Sequence, residues 1–200
     1  MENFSGLTPE EKARLLELEK SVALDKAKPI IKKDFLSFVK YVWPEFIEGG
    51  HHKKINKKFN DLASGKIKRL IINMPPRHTK SEFASYLLPA WMVGLDPRLK
   101  IIQATHTADL AVDFGRKTKN LVDQPNYKEL FDTRLMEDSQ AAGKWKTEQG
   151  GEYFAAGVGG AITGRGADLL IIDDPHKEQD IKKDSKSFEK AWNWYTSGPR

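Results

Sequence analysis

Leu70-Ile71-Ile72-Asn73-Met74-Pro75-Pro76-Arg77-His78-Thr79-Lys80-Ser81 passes from an unbroken apolar run, through a proline-rich turn, into the helical pattern of Ser81 to Trp91. The aliphatic run, closed by Asn73 and Pro75-Pro76, predicts a short strand covered on both faces. A helix is expected after it, with a kink near Pro89. This junction is where a nucleotide-binding loop has to sit, because the free amides of a helix start point at whatever the loop holds. Against the pattern G-x-x-x-x-G-K-[ST], Lys80 and Ser81 match, whereas Met74 and Thr79 stand at the two glycine positions.

Thr79 is the costlier departure. Glycine before the lysine lets the backbone approach phosphate at positive φ, a conformation that β-branched threonine resists. The candidate nucleotide-binding residues are Pro76, Arg77, His78, Thr79, Lys80 and Ser81. Lys80 would neutralise the β and γ phosphates and the Ser81 hydroxyl would ligate magnesium. Arg77 adds a cation able to make a bidentate contact. The same residues also fit a plain proline-rich turn capped by Ser81.

Asp168-Leu169-Leu170-Ile171-Ile172-Asp173-Asp174-Pro175 places two acids after four aliphatics. The carboxyl edge of a parallel sheet presents such groups to a ligand held by the neighbouring loop. Asp173 is the candidate metal ligand, directly or through water, and Asp174 the candidate catalytic group that orients or deprotonates the attacking water. A metal-dependent nuclease that recruits His176 is an alternative, and so is a simple Asp-Asp-Pro turn.

Further out, Lys100 to Thr105 is another short apolar run, and Thr107 to Val122 is a helical pattern. Strand and helix in alternation predict an α/β fold, a mostly parallel sheet sandwiched by helices. Glu152 to Ala156 reads as one more strand, followed by a glycine-rich loop to Gly166. A last helix from about Glu178 to Tyr195 aligns Ile181, Phe188, Trp192 and Tyr195 on one face, as for packing. Upstream, Thr8-Pro9-Glu10-Glu11 is a capped helix start. Pro29 is expected to break the lysine-rich stretch Lys26 to Lys33, leaving the first helix semi-detached. Short helices then follow at Phe35 to Val42 and at His52 to Ala63. Residues 1–44 are therefore taken as an N-terminal helical arm or lid, and residues 45–200 as the core.

Composition sets outer limits. At 200 residues, with 39% hydrophobic and 30% charged, the chain can close one principal core. The absence of cysteine excludes disulfides, thiolate metal sites and a cysteine nucleophile. No run is long enough to span a bilayer, so no membrane partner is expected. The net charge of +5 is concentrated at Lys53, Lys54, Lys57, Lys58, Lys66, Lys68 and Arg69. Such a cluster suits a phosphate backbone, and equally a solvated helix face.

Four stretches together resemble the N-terminal ATPase domain of the large terminase subunit of tailed bacteriophages, over residues 45 to 200. They are Leu70 to His78, Lys80-Ser81, Gly151-Glu152-Tyr153 through Gly160, and Thr163-Gly164-Arg165-Gly166-Ala167-Asp168. Phosphate loops of that family commonly carry an arginine and are irregular at the first glycine, which covers Met74 and Arg77. Thr79 stays unusual, since related proteins usually have glycine there.

The resemblance implies a P-loop NTPase fold of the ASCE type that uses ATP and Mg2+. Hydrolysis would drive double-stranded DNA into a preformed capsid through a homo-oligomeric ring docked on the portal protein, with the small terminase subunit as a further partner. The place of work would be the host cytoplasm, transiently on the procapsid. Arg165 matches the arginine such motors are thought to offer to a neighbour's nucleotide, a catalytic role in trans. His51 or His52 resembles the position that contacts adenine. Large terminases continue with a coupling strand and a nuclease domain, so cleavage is not expected of these residues. A helicase-like nucleic-acid NTPase, or a non-catalytic module binding DNA or a partner, are the competing expectations.

Overall fold

The computed structural model describes residues 8–162, 164–176 and 186–197. Helix α1 (Pro9–Lys33) begins with the expected capping box: Glu11 N–H donates to Thr8 Oγ1 and Glu11 Oε2 accepts from Thr8 N–H at 2.8 Å. Pro29 does not end the helix, contrary to expectation. A proline removes one helical hydrogen bond, but neighbours hold the last turn here, since Ile31 is buried and Trp91 Nε1–H donates to Lys32 O at 3.0 Å. Earlier in α1, Leu16, Leu18 and Val22 are exposed.

Asp34 ends α1 and caps α2 (Phe35–Val42). The next helix, α3 (Gly50–Ala63), supplies two asparagines one turn apart that complete the joint. Asn60 and Asn56 accept the Phe35 and Leu36 amides at 3.0 and 2.8 Å, and each donates to Asp34 Oδ1 at 2.7 Å. Burial opposes the Asp34 charge, yet these donors and Ser37 outweigh it and hold its pKa below the ordinary value.

The sheet is mixed rather than mostly parallel. Its strands are β1 (Lys100–Thr105), β2 (Leu135–Ala141), β3 (Lys144–Thr147), β4 (Glu152–Gly157) and β5 (Leu169–Asp173), in the order β2-β3-β4-β1-β5. Only β4, β1 and β5 run parallel, while β3 is antiparallel to both β4 and β2. The hairpin escaped the sequence reading because Leu135 to Ala141 is mostly polar and shows no sustained alternation. Burial of Trp145 secures it: the ring stacks on Tyr153 at 5.0 Å and its Nε1–H donates to Gly115 O.

One face of the sheet carries the main core, with α5 (Ala108–Asp123) and α6 (Pro125–Leu130) packed beside Phe35, Phe38, Phe83 and Trp91. The other face is covered by Ile162 and by Trp194 of α7 (Lys186–Ser197), whose Nε1–H donates to Gly160 O at 3.0 Å. Trp194 thus does the packing expected of Phe188, Trp192 and Tyr195, and Trp192 is 64% exposed. Glu178, Ile181 and Thr163 lie outside the described residues.

Leu70-Ile71-Ile72 is not a strand, which corrects the sequence expectation. Leu70 and Ile72 lean on the core, but Ile71 is 87% exposed. A strand is defined by its neighbour's hydrogen bonds as much as by its own residues. A cavity of about 840 Å³ lies between this run and the free edge of β5, with Phe188, Trp192 and Tyr195 also on its wall.

The expected kink near Pro89 takes the form of a π-helical turn, Glu82–Leu87, leading directly into α4 (Leu88–Leu95). Pro89 lacks the N–H that would bond Ser85 O, and its ring crowds that carbonyl. Widening the preceding turn relieves the clash, and Leu88 N–H reaches Phe83 O instead.

Candidate functional site

Register places the acids. Thr105 of β1 lies opposite Asp173 of β5, so Asp173 closes its strand at the carboxyl edge of the parallel trio. Its alternation with Leu169 and Ile171 turns the side chain inward, where it is buried. Asp174 follows at φ 43, a left-handed turn that breaks the strand and leaves its carboxylate largely exposed. Its backbone oxygen accepts from His106 N–H at 3.2 Å, which pins the turn to the end of β1.

On the facing side, the loop reaches the helix start through two left-handed residues, Arg77 and Thr79, both at φ 62. Thr79 therefore holds the conformation that glycine would hold without strain. The first helical bond closes from Phe83 N–H to Thr79 O at 2.9 Å. Lys80 and Ser81 thus begin the helix, whose first-turn amides have no intrahelical acceptor.

These elements bring Lys80 to both acids. Its Nζ donates to Asp174 Oδ1 at 2.6 Å and lies 3.3 Å from Asp173 Oδ1. Partial burial works to lower the Lys80 pKa, but the Asp174 hydrogen bond and the charges of both acids outweigh it, and the net shift is upward. Lys80 is therefore a fixed ammonium at neutral pH. Ser85 Oγ donates to Asp173 Oδ2 at 2.9 Å, so both oxygens of the buried acid are engaged.

Ser85 and His106 were not among the candidates drawn from sequence. Ser85 sits one turn beyond Ser81 on the helix, and its only signal was Pro89 four residues later, which predicts irregularity at that turn. His106 directly follows the β1 strand edge and carries no motif of its own.

The remaining candidates are distributed less simply. Arg77 and His78 are exposed on the loop, and His78 Nδ1–H donates to Pro76 O at 2.8 Å. His52 of α3 is turned into the protein. It is buried, with Nδ1 accepting from Gly49 N–H at 2.7 Å and Nε2 2.8 Å from Thr79 Oγ1. Both nitrogens of the ring are thus engaged within the protein. The His51 ring lies against it, tilted by 47° with centroids 3.8 Å apart, and its own Nε2 is buried without a protein partner among the described residues.

Arg165 is remote from Lys80. Its guanidinium pairs with Glu152 at 2.8 Å and lies 3.9 Å over the Phe154 ring, at the amino end of β4. The acids sit at the carboxyl end, a strand length away, about 17 Å at the usual rise per residue.

Among the described residues, no three His, Cys, Asp or Glu side chains form a metal cage. The hard oxygens of Ser81 and Asp173 suit magnesium, which is commonly bound by one or two protein groups together with substrate phosphates. No described helix is long and apolar enough to cross a membrane.

Comparison with known proteins found no matching family model and no match among curated proteins. The resemblance to large terminases therefore stands on the motifs quoted above.

Proposed function

We propose that this chain binds and hydrolyses ATP as the motor domain of a phage terminase large subunit. The observation that carries the reading is the meeting of Lys80 with Asp173 and with Asp174, the latter 94 positions away in sequence, beside a helix start. On this reading Lys80 exchanges its Asp174 contact for the triphosphate, which frees that exposed acid to orient water. Asp173, held by Ser85, keeps its place and with Ser81 would hold magnesium. Magnesium would supply charge neutralisation at the phosphate oxygens. Arg77, on the exposed loop, adds a guanidinium for the phosphates.

The parallel trio β4-β1-β5 would be the working half of a P-loop NTPase sheet. The cavity between Ile71 and β5 would then be the place of the coupling strand of large terminases. Arg165 would act on a neighbour in a ring, with double-stranded DNA, the portal and the small subunit as partners.

Calorimetry with magnesium and a nonhydrolysable ATP analogue tests the core of this reading. The native chain is expected to bind, and Lys80→Ala to bind at least about a hundredfold more weakly, the loss of two charge-assisted contacts. No binding, or equal binding by both proteins, defeats the proposal.

A further inference from the structure

We propose that His52 is the positioning residue of the loop, holding Thr79 in the left-handed turn from which Lys80 reaches its acids. This inference rests on the proposed nucleotide function.

The neighbours settle the direction of each bond. Gly49 N–H can only donate, so His52 Nδ1, at 2.7 Å, carries a lone pair. In the neutral ring the hydrogen is then on Nε2. Thr79 Oγ1 gives its own hydrogen to His78 O at 2.6 Å, and so presents a lone pair to His52 Nε2–H at 2.8 Å. Donors and acceptors match along the whole chain from Gly49 to His78. Burial leads in depressing the His52 pKa, with His51 and His78 adding to it and Glu48 opposing, in keeping with the neutral ring that the hydrogen bonds require.

Packing fixes the ring as well. Phe46 and Phe83 flank it at 4.7 and 4.9 Å, and Phe83 is itself on the helix that Lys80 begins. A rigid donor on α3 therefore grips the hydroxyl that threonine has and glycine lacks. The strain of a β-branched residue at φ 62 is met by a hydrogen bond that its own hydroxyl accepts. Thr79 and His52 are in this sense one device, and the departure from glycine is compensated from outside the loop.

A double-mutant cycle tests the coupling, with binding of a magnesium-bound nonhydrolysable ATP analogue as the readout. His52→Phe is expected to weaken binding about tenfold in the native background but less than about twofold in Thr79→Gly, where no tether exists to lose. His52→Gln, which keeps an N–H near the Nε2 position, is expected to restore most of the affinity. An equal loss in both backgrounds would mean that His52 acts through packing alone, and no loss in the native background would mean that it does not act. Either result overturns the inference while leaving the nucleotide reading intact.

If His52→Phe does not fold, the half-exposed partner carries the test. Thr79→Val, without the hydroxyl, should bind about tenfold more weakly than Thr79→Ser, which keeps it. Equal binding by these two overturns the inference. Absence of binding by the native chain removes the proposed function first, and the inference with it.

Discussion

Asp173 and Lys80 come within 3.3 Å of each other, yet the chain delivers them by different means. Asp173 ends a strand whose every residue is registered against β1. Lys80 follows a segment with no ladder, placed by left-handed turns at Arg77 and Thr79 and by one side-chain bond from α3. The acids are thus preorganised by the sheet, whereas the Lys80 side depends on a propped loop. A ligand entering here would reshape the loop and leave the acids where they are.

Hydrogen exchange offers the largest contrast. The β5 amides bonded to β1 are expected to exchange at least about a thousandfold more slowly than those of Ile71 to Asn73, because ladder bonds open only with the sheet. Similar rates in the two segments would break the comparison.

Next in size is the cost of removing each acid, measured by urea unfolding. Asp173→Ala strands Ser85 and loosens Lys80 in a buried setting, and should cost about 2 kcal/mol. Asp174→Ala removes a largely exposed partner and should cost less than about 1 kcal/mol. Equal costs would show that burial in the sheet does not distinguish the two.

Arg77→Gly sharpens the loop side. Glycine relieves the strain at φ 62 and should stabilise the fold by up to about 1 kcal/mol, while the lost guanidinium weakens analogue binding about tenfold. If stability and affinity fall together, the turn at Arg77 is not strained.

The smallest effect is with pH. The folded pKa of His52 lies below its ordinary 6.5, so its stabilisation is complete above that pH and shrinks as pH falls through the folded value. Burial dominates the shift, His51 and His78 add to it, and Glu48 opposes it. Between about pH 7.5 and about pH 5.5 the fall in Tm should be roughly 2 °C smaller in His52→Phe than in the native chain. An identical fall in both proteins would remove His52 from the account.

The sequence carried the local features well. The Thr8 capping box, the strands beginning at Lys100 and Glu152, and the acidic end of β5 are all legible, because capping and apolar runs act over a few neighbouring residues. Where partners were needed, the reading failed. Leu70 to Ile72 has strand composition but no bonded neighbour among the described residues, and Phe188, Trp192 and Tyr195 share a helical face that the core does not use. The unusual Thr79 was visible at once, while its support by His52 could not be seen across the intervening chain.

What the sequence determined by itself was the order of chemistry along the chain: a lysine and serine at a helix start, two acids at the end of an aliphatic run, and a threonine in a glycine's place. The tertiary structure alone decided that Lys80 meets both acids, that Arg165 sits a strand length away, and that His52 spends both nitrogens inside the protein. The reason is physical. Propensity and periodicity are summed over adjacent residues, whereas an ion pair or a buried tautomer depends on atoms that only strand register and helix packing bring together.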